Sequence, residues 1–177
     1  MISAPDSLAW LLNIRGGDVP RTPFALGYAV IDKEGKVDLF VDPRKLTQAA
    51  RTHLGNEVAV QEPAGFLPAL DALGKSGAAV AVDAMTAGVA ISDRLKGAGA
   101  KPQIGEDPCA LPKACKNPVE VDGARAAHRR DGAAVSKFLR WLSLEAPKGQ
   151  LDEIKAADKL ASFRRTNELF RDFSFDS

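Results

Sequence analysis

At 177 residues, with 45% hydrophobic side chains, the chain is long enough to bury a core of its own and too mixed in composition to be fibrous or disordered. Its 24 basic and 23 acidic residues leave a formal net charge of +1, too little field to favour nucleic acid or an anionic membrane, and no apolar run approaches the ~18 residues that span a bilayer. The start, MISAPDSLAW, carries no basic stretch ahead of an apolar one, and five residues separate Cys109 from Cys115, a spacing suited to neither zinc nor a redox pair; a cytoplasmic protein with reduced thiols is expected.

In chain order, the first irregular stretch is NIRGGDVPRTP, where Gly16, Gly17, Pro20 and Pro23 forbid regular structure and leave a polar loop. FALGYAVID and KVDLFVDP flank the turn Lys33-Glu34-Gly35-Lys36 and predict a hairpin, ended by Pro43. Arg44 to Leu54 predicts a helix closed by Gly55, and Gly65 to Leu73 another closed by Gly74. AAVAVDAM predicts a buried strand, Ile91 to Lys96 a helix, and PQIGEDP a last strand. Strands alternating with helices point to an α/β layer with a mixed β-sheet flanked by helices.

From about residue 117 the chain becomes markedly more charged and purely helical in pattern. Asn117 is placed to N-cap, Pro118 to occupy the first helical position and Glu120 to complete a capping box. Ala124, Ala127, Ala134, Val135, Phe138, Trp141 and Leu142 recur at three- and four-residue steps, so a helix is expected from Pro118 to about Glu145, stopped by Pro147 and Gly149. A second helix begins at Asp152 and ends near Asn167, with Ile154, Ala157, Leu160 and Ala161 on one face. Phe170, Phe173 and Phe175 follow with little sequence left to bury them.

Few residues offer chemistry. Gly74-Lys75-Ser76 imitates the end of a phosphate-binding loop, but Ala69 stands where its first glycine belongs; Gly97 and Gly99 meet Pro102 where a dinucleotide fingerprint needs a third glycine. His53 and His128 have no second ligand at metal spacing. No catalytic residue and no metal ligand is assigned. The site residues singled out are Asn13, Arg15 and Asp18 in the irregular loop, read either as a loop near a cleft or as a polar network that pins the loop to its own domain.

Three blocks carry a resemblance. N-P-x-E-x-x-G-x-R-x-A-H-x-R-D-G-A from Asn117, with Phe-Leu-x-Trp-Leu after it, resembles the opening of the catalytic domain of the three-domain Xaa-Pro aminopeptidases, the aminopeptidase P branch of the creatinase and prolidase family. Ser7 to Asp18, SLAWLLNIRGGD, is similar to that family's S-x-A-W-L-L-N-x-R-G-x-D block. Asp152 to Arg164, DEIKAADKLASFR, is similar to its T-E-I-x-A-A-D-K-x-x-x-F-R helix, with Asp152 in place of Thr, an exchange either capping residue tolerates.

The resemblance implies a creatinase-like second α/β domain over residues 1–116, followed over residues 117–177 by two helices that begin an incomplete pita-bread catalytic domain. It implies a full-length metallo-exopeptidase that removes the N-terminal residue from peptides with proline second, using two divalent metal ions, manganese by expectation, held by two Asp, one His and two Glu that lie beyond Ser177. The chain is therefore expected to hold no cofactor, to be non-catalytic alone and to meet peptide substrate only in the full-length form. It is also expected to form a homo-oligomer in the cytoplasm, bound to neither nucleic acid nor membrane. The alternative is a natural short interaction or oligomerisation module of the same family.

Overall fold

The protein is described by a computed structural model over residues 1–175. Its contacts group the chain into two units, Met1–Cys115 and Lys116 onward, each with its own packing.

The first unit begins with α1 (Pro5–Leu11), opened by a proline at its first position, where a missing N–H costs nothing. The predicted hairpin forms: β1 (Tyr28–Ile31) pairs antiparallel with β2 (Val37–Phe40), Tyr28 opposite Phe40. Its turn is held by Asp32, whose carboxylate accepts from the backbone N–H of Glu34 at 2.8 Å and of Lys36 at 3.0 Å. The helix expected over 44–54 is instead a 3-10 turn at Pro43–Lys45 and then α2 (Gln48–Leu54). Leu46 is extended, and Thr47 restarts the helix as its N-cap, accepting from the N–H of Ala50 at 3.2 Å.

A strand that the pattern did not announce follows: β3 (Val58–Gln61) lies parallel to β2, so β2, α2 and β3 make a crossover unit. Next come α3 (Phe66–Lys75), β4 (Ala79–Asp83), α4 (Val89–Ala98), β5 (Lys101–Gly105) and α5 (Ala110–Ala114). Gly74 does not close α3. It lies inside the helix because α4 passes there: a Cβ on Gly74 would sit 2.2 Å from Ala98 Cβ and 2.6 Å from its carbonyl oxygen. The strand expected to be buried, β4, alternates exposed and buried residues, with Val80 and Val82 inward.

The strands form a mixed sheet in the order β1-β2-β3 and a parallel pair β4-β5. Met1 and Ile2 lie between them. Ile2 exchanges both backbone hydrogen bonds with Ala29 of β1, at 2.8 and 3.0 Å, while the Met1 amino group donates to the Ala81 carbonyl of β4 at 2.8 Å. Burial lowers the pKa of that amino group. Two cores result, one of Ile2, Leu8, Ala29, Leu39, Val41 and Leu54, the other of Phe40, Phe66, Leu70, Val80, Val82 and Leu95. Phe66 links hairpin to helix: Tyr28 stacks on it at 4.2 Å between centroids and Phe40 meets it edge-on at 5.3 Å.

In the second unit α6 (Pro118–Glu145) starts with the predicted capping box, Glu120 N–H donating to Asn117 Oδ1 at 2.9 Å and Asn117 N–H to Glu120 Oε2 at 2.8 Å. A 3-10 turn at Ala146–Lys148 ends it. α7 (Glu153–Arg165) is capped by Asp152, which accepts from Lys155 N–H at 2.8 Å. The two helices pack on each other, and Val135, Phe138, Leu142, Leu160 and Phe163 are half-buried. Ala124 and Ala127, expected on the packed face, are exposed. Phe170 and Phe173 shelter each other edge-on at 5.4 Å, and Phe175 stays exposed.

Candidate functional site

The loop after α1 is shaped from its own sequence. Asn13 adopts a left-handed conformation, φ 47°, which asparagine tolerates better than most residues. Gly16 is required by a close approach: a Cβ there would lie 2.6 Å from Ala25 N, where the chain folds back and Gly16 N–H donates to the Pro23 carbonyl at 3.3 Å. Arg15 Nη1 donates to the carbonyls of Ala9 and Ile14, both at 2.9 Å, tying the loop to the end of α1. Asp18 closes the far end by accepting from Leu26 N–H at 2.8 Å and from Lys45 Nζ at 2.6 Å. The lysine hydrogen bond, and then the Leu26 N–H, hold the Asp18 carboxyl below the usual aspartate range.

Asn13, Arg15 and Asp18 thus line one cavity of about 530 Å³ without bonding to each other. Its opposite wall is α2 and the turn before it, which bring in Lys45, Ala49 and His53. His53 Nε2 is 3.0 Å from the Leu12 carbonyl, and since a carbonyl can only accept, that nitrogen carries the proton. Ile14, Ala25, Val41 and Leu46 supply apolar surface. Lys45 and His53 were not legible as site residues, because they reach the loop only through the turn geometry that follows β2.

A second cavity, of about 510 Å³, lies within the helical unit, bordered by Arg130, Asp131, Lys137, Arg164, Phe170 and Arg171. Two of its lining residues form a forked ion pair, Arg164 Nε and Nη2 on the two oxygens of Asp131 at 2.7 and 3.1 Å, which holds the Asp131 carboxyl below its usual range. His128 Nδ1 donates to the Ala124 carbonyl of its own helix at 2.8 Å.

One trio resembles a catalytic arrangement. Ser7 Oγ donates to Asp107, and Lys113 Nζ lies 3.1 Å from the same Oγ and also binds Asp6. Ser7 is 0% exposed, so no substrate reaches its hydroxyl and the trio is structural. Among the described residues no three His, Cys, Asp or Glu side chains are grouped to hold a metal ion, so a dinuclear centre does not fit this chain's own donors and no metal step is derived for it. Among the same residues no helix is long and apolar enough to cross a membrane.

Residues 1–120 match the family described as the creatinase/prolidase N-terminal domain. The whole chain aligns with probable Xaa-Pro aminopeptidase P of the fungi Coccidioides posadasii, at 37% identity, and Aspergillus niger, at 38%, covering 30% of each of those proteins. Among solved structures it is similar to X-prolyl aminopeptidase of Caenorhabditis elegans, with a TM-score of 0.88 and 29% identity over 97% of this chain and 29% of that one. That protein is described as a cytosolic enzyme with a dinuclear active site. The mixed α/β architecture is therefore that of the X-prolyl aminopeptidase fold, and the chain spans about 30% of the length of the curated relatives it matches.

Proposed function

The chain belongs to the creatinase/prolidase N-terminal domain family, and on that premise we propose that it serves a cytoplasmic Xaa-Pro aminopeptidase as the α/β portion that positions the catalytic domain, joined to that domain's first two helices. The observation that carries this reading is end-to-end alignment with Xaa-Pro aminopeptidases P over under a third of their length. In this reading Met1–Cys115 is the positioning domain and α6 and α7 open the catalytic one. The enzyme it serves removes the N-terminal residue from peptides with proline second, and two metal ions, manganese by our reading, activate its water and polarise the scissile carbonyl. Those ions are held by residues outside this chain, whose described donors are scattered. The loop of Asn13, Arg15 and Asp18 faces the substrate cleft in the assembled enzyme.

Two measurements test it. The purified chain, supplied with manganese, is expected to release no N-terminal residue from an Xaa-Pro peptide; turnover above a chelated control overturns the non-catalytic assignment. The gene is expected to continue past Ser177 into metal-ligand motifs, whereas a native stop codon there favours a short interaction module instead.

A further inference from the structure

We propose that the cavity between the loop of residues 13–18 and α2 is a carboxylate site, filled by the free C-terminal carboxylate of a short peptide, with Arg15 as its principal ligand. The carboxylate part stands on this unit alone; the peptide part rests on the aminopeptidase reading above.

Three other arginines of this chain show how a guanidinium edge pairs with a carboxylate. Arg94 presents its Nε and Nη2 edge to Asp71 at 2.8 and 2.7 Å, Arg164 presents the same edge to Asp131, and Arg44 presents it to Asp42. Arg15 spends Nη1 on two backbone carbonyls and, among the described residues, makes no bond through Nε or Nη2. Its guanidinium is exposed and lines the cavity, fixed in place by the bonds on its other side. A guanidinium so held loses little freedom on binding, and its open edge matches a planar carboxylate with two parallel hydrogen bonds.

The surrounding charges agree. The acid in the cavity wall, Asp18, is already taken by Leu26 N–H and by Lys45, so it does not reach for Arg15. Lys45, which bridges to Asp18, adds a cation on the wall across from the loop. The apolar floor of Ile14, Ala25, Val41 and Leu46 suits the side chain of a terminal residue, and about 530 Å³ is a volume typical of small-ligand pockets.

The test is a titration of the full chain, followed by amide and arginine Nε NMR signals, with the tripeptide Ala-Pro-Ala, its C-terminal amide, and acetate. The acid tripeptide is expected to shift the Arg15 Nε signal and the amides of residues 13–18 and 45–53 saturably, with the peptide amide binding about tenfold more weakly or worse. Arg15→Gln should abolish those shifts. Because Arg15 also holds the loop, Ala49→Glu, which places a competing carboxylate in the cavity without touching those bonds, should abolish them too, while Ala49→Gln keeps them. Equal binding of acid and amide, shifts scattered over other surface residues, or persistence of binding in Ala49→Glu overturns the site. Acetate binding as tightly as the tripeptide overturns the peptide occupant. Failure of the aminopeptidase reading is seen elsewhere, in turnover and in the reading frame, and leaves these shifts unmoved.

Discussion

Ser7 Oγ donates a hydrogen bond to the carboxylate of Asp107, joining α1 to the segment before α5 across most of the length of the first unit. The same carboxylate accepts from Cys109 N–H at 2.8 Å, and Lys113 reaches Ser7 Oγ from α5. Ser7→Ala takes from Asp107 and Lys113 the hydroxyl they share while each keeps its other partner, a loss of about 1 kcal/mol. Urea unfolding is the measurement, and unchanged stability would mean that water replaces the hydroxyl.

Gly74 and Gly97 predict opposite signs for the same substitution. Both lie in the last turn of a helix, where alanine is favoured over glycine by up to about 1 kcal/mol. At Gly97 nothing lies within 4 Å of an added Cβ, so Gly97→Ala should stabilise by about that amount. At Gly74 the added carbon overlaps Ala98 side chain and backbone, so overpacking outweighs propensity and Gly74→Ala should destabilise by about 1–3 kcal/mol. Thermal melts of the two variants side by side decide it; a stabilised Gly74→Ala would show that α3 and α4 can separate without cost.

That pair also explains what the sequence could disclose. The Asn117 capping box, the Asp152 cap and the hairpin turn at Asp32 are made by residues within four positions of each other, and local chemistry announced them. Gly74 reads as a helix terminator in isolation because its reason for being glycine, Ala98, lies on another helix. β3 escaped notice because four residues with alternating burial owe their strand state to β2, their parallel partner. The loop at 13–18 was legible as irregular, but the cavity it borders needs Lys45, whose bond to Asp18 spans 27 positions, and His53, whose bond to Leu12 spans 41.

Acid should release Asp42 late. The Arg44 side chain, and then the Arg44 N–H, bring the Asp42 pKa to about 2, below the ~3.9 of a free aspartate. Because the folded value is the lower one, the stabilisation from this pair is fully present above pH ~4 and disappears as the pH falls toward 2. Arg44 is exposed, so added salt weakens the effect. An NMR titration of the Asp42 carboxyl should show a midpoint near 2 that rises in Arg44→Gln; a midpoint at the free-aspartate value in the unsubstituted chain would remove the pair from the account of acid stability.

The start of α6 offers a measurable cap. Asn117→Ala removes the acceptor for Glu120 N–H and should cost about 1 kcal/mol, while Asn117→Gly should cost only a few tenths. Equal losses for the two in denaturant melts would point to backbone strain at this position instead of the missing acceptor.

We expect the chain to self-associate through its helical unit. α6 and α7 shelter each other's inner residues, but Val119 is 81% exposed and Ile154 74%, and Leu139, Leu144 and Leu169 are exposed as well. Burying one such side chain is worth about 1.5–3 kcal/mol, so two or three together offset a good part of the entropy lost on association. Light scattering should give a dimer or larger for the unsubstituted chain. The double substitution Leu139→Lys and Ile154→Lys should shift it toward monomer with unchanged helical circular dichroism, because both positions face solvent within their own unit. A monomer at every concentration tried, for the unsubstituted chain, would mean that these residues are simply solvated.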